Sequence, residues 1–249
     1  MTHTDSVFPT LYFDRLASTN DKLTELIKES DLPEFSVVIT QNQTAGKGQA
    51  GNSWESEKGK NITLSILLRP LFLEPQNQFY ISKIVSLAIV DTLDNLSIQS
   101  TIKWPNDIYV DDKKIAGILI ENSIMGNSIS NSIIGIGLSV NQERFISEAK
   151  NPVSVYNILN EAKNIEDILD TLLHNLLKSY TALINNELEN IDNEYFKRLY
   201  RKEGFYRFKD ARGVFSAEIS EIEFSGILVL TDSHGQIRKY AFKEVEFLD

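Results

Sequence analysis

Apolar residues recur along this chain at two spacings, and each spacing predicts a type of element. Over residues 20–29, Leu23, Leu26 and Ile27 share one helical face, and Ser18, Thr19 or Asn20 can cap the helix. Helical spacing also runs through Ile84, Leu87, Ala88 and Leu93 over 79–96, and through Leu169, Leu172, Leu173, Leu176, Leu177 and Tyr180 over 166–189. Short β-rich runs predict strands at 35–40, 62–68, 101–104, 108–110, 115–121 and 133–140. Asp111-Asp112-Lys113 reads as a hairpin turn, and Arg69-Pro70 ends the strand at 62–68. From about Gly204 the texture changes. Strand-like pieces at 213–219, 227–230 and 240–247 alternate with turn signals at Gly226 and Ser233-His234-Gly235. That pattern predicts a small all-β module over 204–249 behind a larger domain over 1–203.

Composition narrows the function classes. The 249 residues are 42% hydrophobic and 24% charged, ordinary values for a soluble globular protein. No apolar run approaches the ~18 residues of a membrane helix, and the first residues lack the basic and apolar regions of a secretory leader. A cytoplasmic protein with no membrane partner is the expectation. The chain has no cysteine, which excludes disulfides, thiol catalysis and zinc–thiolate sites. Three scattered histidines, at 3, 174 and 234, suggest no protein-built metal site. A net charge of −10 argues against nucleic acid as a partner, because phosphate contacts need clustered Lys and Arg.

Four segments carry candidate chemistry. Ser18-Thr19-Asn20 opens a helix, where hydroxyls and an amide cap the helix or bind a polar ligand. Gln-Thr-Ala-Gly-Lys-Gly-Gln-Ala-Gly-Asn-Ser-Trp at 43–54 is a glycine loop around a lysine. It suits a phosphate or a plain hairpin, and it is neither a P-loop nor a dinucleotide fingerprint. Lys-Trp-Pro-Asn-Asp at 103–107 packs a cation, an amide and a carboxylate around a tryptophan, and its proline keeps Trp104 out of helix. Lys-Lys-Ile-Ala-Gly-Ile-Leu-Ile-Glu at 113–121 is a strand entered by two lysines. Lys113 reads as a surface residue and Lys114 as the one able to point inward. Gly135 and Gly137 alternate in the strand Gly-Ile-Gly-Leu-Ser-Val-Asn at 135–141. They leave one sheet face bare for a flat ligand or another backbone.

In this order and spacing, the five motifs over residues 18–141 resemble those of the biotin–protein ligases. The resemblance implies an α+β fold: a mixed sheet with helices, like a class II aminoacyl-tRNA synthetase, followed by an SH3-like barrel. It implies ATP-dependent activation of biotin to biotinyl-5′-AMP and transfer of biotin to a lysine of a biotin carboxyl carrier protein. Matched residue by residue, Ser18, Thr19, Asn20 and Gln43 would line the biotin pocket, with Gly46, Lys47, Gly48 and Gln49 folding over it and Gly117 beside it. Lys114 would touch the biotin carboxylate and the α-phosphate. Trp54, Asn106 and Asn141 would surround the nucleotide, with Lys103 and Asp107 at the reacting centre. Cations and Mg²⁺ would offset the repulsion between carboxylate and phosphate, and Asp107 would orient or help deprotonate the carrier lysine.

Two departures follow from the same match. Many relatives carry Gly-Arg-Gly-Arg-Arg-Gly-Arg in the loop, whereas the arginine positions here are Lys47, Gln49, Ala50 and Asn52. A looser hold on biotinyl-AMP is the expectation, since charge-assisted hydrogen bonds are about twice as strong as neutral ones. Ser18 also begins the first motif too early to leave room for the winged helix-turn-helix of some relatives, so no DNA-binding role is expected. A lipoate–protein ligase or octanoyl transferase and a non-catalytic biotin-binding module are the alternatives. Monomer and homodimer both stay open.

Overall fold

A computed structural model describes residues 7–146 and 151–248. The chain opens with β1 (Thr10–Leu16), α1 (Thr19–Glu29) and β2 (Val37–Gln43). β1 pairs parallel with β2, and parallel neighbours need a crossover rather than a tight turn, which α1 provides. Then come β3 (Ile62–Leu68), α2 (Phe79–Asp94), β4 (Thr101–Lys103), β5 (Asp107–Val110), β6 (Lys113–Met125) and β7 (Ser128–Leu138). These strands form a seven-stranded mixed sheet in the order β1-β2-β3-β7-β6-β5-β4. Three helices follow: α3 (Val155–Leu159), α4 (Ile165–Ile184) and α5 (Leu188–Lys197). The chain ends in β8 (Tyr206–Asp210), β9 (Gly213–Ile222), β10 (Leu228–Asp232), β11 (Ile237–Tyr240) and β12 (Glu246–Phe247), a second, antiparallel sheet.

The two faces of the large sheet differ. Ile102, Ile108, Ala116, Leu138 and Ile62 are successive cross-strand partners, and none is more than 2% exposed. They face α2, whose far side packs on α4. A helix covered on both sides must be apolar nearly all round, which explains Ile81, Ile84, Val85, Ala88 and Ile89. Each such aliphatic side chain contributes roughly 1.5–3 kcal/mol by leaving water. On the other face, α1 packs Leu23 against Val38, Leu67 and Ile133, while the neighbouring strands remain open. One buried cluster runs from α2 through Trp104 into Phe208, Leu228 and Tyr240 of the small sheet, so packing joins the two sheets.

Three expectations change. Residues 166–189 are not one helix: α4 stops at Ile184, Asn186 takes φ 60°, and α5 starts at Leu188. Asn tolerates the left-handed region better than other non-glycine residues, and here it turns the chain. Residues 240–247 are not one strand, since a turn over 241–244 separates β11 from β12. The expected strands miss β1 and β8. β1 lies at the sheet edge with Tyr12 60% exposed, and its apolar positions are only half-buried.

Candidate functional site

The open face is built from one cross-strand row. Lys103 pairs with Asp107, Asp107 with Gly117, Gly117 with Gly137, and Gly137 with Thr63. Directly paired residues project to the same face, so two side-chain-free positions lie between a charged end and a hydroxyl end. The next row continues the pattern with Leu119, Gly135 and Ser65. The result is a glycine-floored trough inside a cavity of about 770 Å³, within the usual range for small-molecule sites.

Lys114 reaches this face through a bulge. Tyr109 pairs with Lys114 but Ile108 pairs with Ala116, so Ile115 is one residue too many on β6. In a regular strand Lys114 and Gly117, three apart, would face opposite ways; the extra residue puts them on the same face. A Cβ on Gly117 would lie 3.3 Å from Lys114 Nζ. The bulge is pinned by the Lys114 N–H donating to the Asn151 carbonyl (2.8 Å) and the Val153 N–H donating to the Lys114 carbonyl (2.9 Å). Lys114 Nζ then pairs with Asp107 Oδ1 at 2.7 Å. Lys113, by contrast, is exposed, as the sequence suggests.

The second wall is the start of α1. Ser18 caps the helix, its hydroxyl accepting from the Asp21 N–H (3.3 Å). Thr19 donates its N–H to Gln43 Oε1 (2.9 Å). Ser65 Oγ, fully buried, lies 2.7 Å from Thr19 Oγ1 and 2.5 Å from Asn20 Oδ1. Asn20 Nδ2 donates outward to Glu121 Oε2 (2.7 Å). A chain of polar contacts thus spans β2, α1, β3 and β6, and Gly135 leaves room for it, because a Cβ there would collide with the Asn20 amide.

The glycine loop closes the third side. The Trp54 N–H donates to the Gly46 carbonyl (2.9 Å) and the Gly48 N–H to the Asn52 carbonyl (2.7 Å), making a tight hairpin with a 3-10 turn at Gln49–Gly51. Gly46 sits under that crossing, where a Cβ would lie 2.5 Å from the Trp54 carbonyl oxygen. The loop's lysine, Lys47, pairs with Asp21 at 2.6 Å, and this bond raises its pKa. The Trp54 indole packs on the glycine floor: a Cβ on Gly137 would fall 2.5 Å from its Nε1 and one on Gly117 3.1 Å from its Cζ3. That Nε1 is buried and has no hydrogen-bond partner. The bare face expected from the two glycines therefore holds the chain's own tryptophan.

The fourth side comes from the end of the chain. Lys103 Nζ lies 3.0 Å from Tyr109 Oη and over the rings of Tyr109, Tyr200 and Phe247. Burial and a hydrogen bond to Asp112 push the Tyr200 hydroxyl up to about 12. Trp104 donates its indole N–H to the Gly226 carbonyl (2.9 Å) and meets Phe242 edge-on at 6.4 Å. Phe242, Lys243, Glu246 and Phe247 line the cavity from this side. Asn106 also lines it, with its Nδ2 donating to the Ile118 carbonyl (2.8 Å).

The structure thus brings together Ser18, Thr19, Asn20, Gln43, Lys47, Gly48, Gln49, Trp54, Lys103, Asn106, Asp107, Lys114 and Gly117. Gly46 supports the loop from behind. Asn141 does not line the cavity. Its amide donates to the Lys163 carbonyl (2.8 Å) and accepts from the Lys163 N–H (2.9 Å), tying the segment after β7 to the one before α4. Sequence reading missed Thr63, Ser65, Tyr200 and the 242–247 segment. The first two show in the partial alternation of β3, Ile-Thr-Leu-Ser-Ile, while the others have no local signal.

Residues 12–139, just over half of the chain, match the Biotin/lipoate A/B protein ligase family. A bifunctional ligase/repressor BirA of Bacillus subtilis is 36% identical over 134 residues, 53% of this chain and 41% of that protein. The chain thus spans less than half the length of that relative. A biotin–[acetyl-CoA-carboxylase] ligase of Paracoccus denitrificans is 30% identical over 168 residues, 63% of this chain and 68% of that protein. Among solved structures, a biotin protein ligase from Aquifex aeolicus in complex with biotin and ATP shares the fold, with a TM-score of 0.78. It is 20% identical, over 95% of this chain and 97% of that one.

Proposed function

We propose that this chain, which belongs to the Biotin/lipoate A/B protein ligase family, activates biotin with ATP to biotinyl-5′-AMP and transfers the biotin to a lysine of a carrier protein. The observation that carries the reading is the row Lys103–Asp107–Gly117–Gly137–Thr63, with Lys114 brought onto it by the bulge. Its glycine floor leaves room for a bicyclic ligand, and the polar chain at Thr19, Gln43, Ser65 and Asn20 suits a ureido group, which both donates and accepts hydrogen bonds.

In the first step a carboxylate oxygen of biotin attacks the α-phosphorus of ATP and pyrophosphate leaves. Lys114 offsets the charge where the two anions meet. In the second, a carrier lysine attacks the acyl carbon of the anhydride as a neutral amine, and AMP leaves. Asp107, one residue across from the trough, orients that amine or takes its proton. The loop at 43–54 excludes water from the reactive anhydride. Magnesium, held mainly by phosphate oxygens and water, needs only one or two protein carboxylates, and Asp107 and Asp112 line the cavity. Held there by Asp107 or Asp112, it would supply charge neutralisation at the phosphates.

We read residues 1–203 as a catalytic domain of the class II aminoacyl-tRNA synthetase type and 204–249 as an SH3-like module. The carrier we favour is the biotin carboxyl carrier domain of a biotin-dependent carboxylase. Biotin-dependent release of pyrophosphate from ATP, followed by a mass increase of such a domain on one lysine, tests the reading. Lipoate outperforming biotin in both assays moves it to the lipoate branch, and binding of biotin without pyrophosphate release makes the chain a binding module.

A further inference from the structure

Thr19, Asn20 and Gln43 line one end of the cavity, and Ser65 stands fully buried behind them. Its Oγ lies 2.7 Å from Thr19 Oγ1 and 2.5 Å from Asn20 Oδ1. A hydroxyl carries one hydrogen, so Ser65 cannot donate to both. The Asn20 amide decides which it serves. Its nitrogen faces two groups that only accept, the Glu121 carboxylate (2.7 Å) and the Leu119 carbonyl (3.4 Å). Turning the amide over would set oxygen against oxygen at both and lose those hydrogen bonds. Asn20 Oδ1 is therefore the atom that faces Ser65, and it sits tightly there: a Cβ on Gly135 would fall 2.4 Å from it. An amide oxygen cannot donate, so Ser65 gives its hydrogen to Asn20. Its oxygen is left as an acceptor for the Thr19 O–H. The other acceptor within reach of that O–H, Gln43 Oε1, is farther away at 3.3 Å and already takes the Thr19 N–H at 2.9 Å.

We infer that Ser65 is a positioning residue that fixes the direction of this hydrogen-bond chain, so that the Thr19 hydroxyl meets the ligand as an acceptor and the site selects a ring N–H at that point. The inference rests on the biotin reading above. With its one hydrogen turned back to Ser65, Thr19 offers the cavity only lone pairs. The neighbouring Gln43 amide has its oxygen turned to the Thr19 N–H, and its nitrogen, which can only donate, lies by the glycine loop, 2.7 Å from where a Cβ on Gly46 would stand. An acceptor beside a donor matches the N–H and C=O of a cyclic urea. A dithiolane ring has no N–H, leaves the Thr19 oxygen unmatched, and is disfavoured by a site built to accept one.

The test is calorimetric titration with biotin and with its two carbamate analogues, each of which has one ureido N–H replaced by a ring oxygen. The unmodified chain binds one analogue about 100-fold more weakly than biotin, because its ring oxygen meets a Thr19 oxygen that cannot donate. In Ser65→Ala the Thr19 O–H is released to turn toward that ring oxygen. The ratio for this analogue then falls to about tenfold, while the ratio for the other moves less than about twofold. A merely structural role for Ser65 weakens all three ligands together and leaves both ratios as they were. In a Thr19→Val background, Ser65→Ala changes neither ratio by more than about twofold, since the serine acts through the threonine. Unchanged ratios in Ser65→Ala, or a change that persists without the Thr19 hydroxyl, overturn the assignment. If the unmodified chain binds no biotin, the functional reading fails separately, and neutron diffraction from deuterium-exchanged crystals of the unmodified chain decides on Ser65. The same measurement decides if Ser65→Ala does not fold. A deuterium on Thr19 Oγ1 directed at Ser65 supports the assignment, and one directed at Gln43 or into the cavity overturns it.

Discussion

Lys114 Nζ stands 2.7 Å from Asp107 Oδ1, and the two meet because Ile115 is bulged out of β6. Each is the other's counter-ion while the trough holds no anion. On the proposed function, an arriving carboxylate or phosphate would compete for Lys114 and leave Asp107 able to serve the incoming amine. Asp107→Asn is expected to keep biotin-dependent pyrophosphate release within a few-fold. It should slow transfer from preformed biotinyl-AMP by about 100-fold, the scale of one general base. Single-turnover transfer kinetics read this, and an unchanged rate removes Asp107 from the second step. Lys114→Met is expected to lower the first step by a comparable factor, because it removes the cation where the two anions meet.

Trp54 covers the floor that a ligand needs. On the proposed reading, a ring on Gly117 and Gly137 has to move before biotin can lie there, and its Nε1 has no hydrogen bond to lose in moving. Biotin is therefore expected to change tryptophan emission. Trp54→Phe should abolish the change, leaving Trp104, buried against Gly226, as the steady background. Gly137→Ala, whose Cβ collides with the indole, should show displaced-tryptophan emission without ligand. An emission change that survives Trp54→Phe refutes this account.

Gln49 lines the cavity at a position where many relatives carry arginine, and its Oε1 is buried without a partner. Gln49→Arg is expected to slow dissociation of biotinyl-AMP by about tenfold through one charge-assisted contact to the phosphate. Stopped-flow or filtration chase experiments give the off-rate. A faster or equal off-rate would show that the guanidinium does not reach the adenylate.

Away from the site, Lys83 on α2 is 1% exposed and its charge is met by Asp192 of α5 at 2.6 Å, with Tyr80 donating to the same carboxylate at 2.8 Å. Asp192→Ala strands that charge and is expected to cost about 3 kcal/mol, the low end for a broken buried pair because Asp192 itself is 42% exposed. Urea denaturation measures it. Adding Lys83→Met should recover most of the loss, since an apolar residue suits the site. No recovery would mean that the pair matters for geometry rather than charge.

Much of this protein is legible along the chain. The apolar run of β3 and the helical spacing of α2 place those elements almost to the residue, because burial imposes a local period. The residues of the motifs at 18–20, 43–54, 103–107 and 113–121 name most of the cavity's lining. The resemblance supplied roles, and for Asn141, expected beside the nucleotide, the structure shows an amide bonded to the backbone of Lys163. Tertiary pairing decided the rest. Lys103, Asp107, Gly117, Gly137 and Thr63 become one row only through register, which depends on strands far apart in sequence. The inward turn of Lys114 depends on a one-residue mismatch with β5 that no local pattern records. The tryptophan on the floor and the residues at 242–247 come from segments whose positions are set by what they pack against, so the chain names these residues without saying where they will stand.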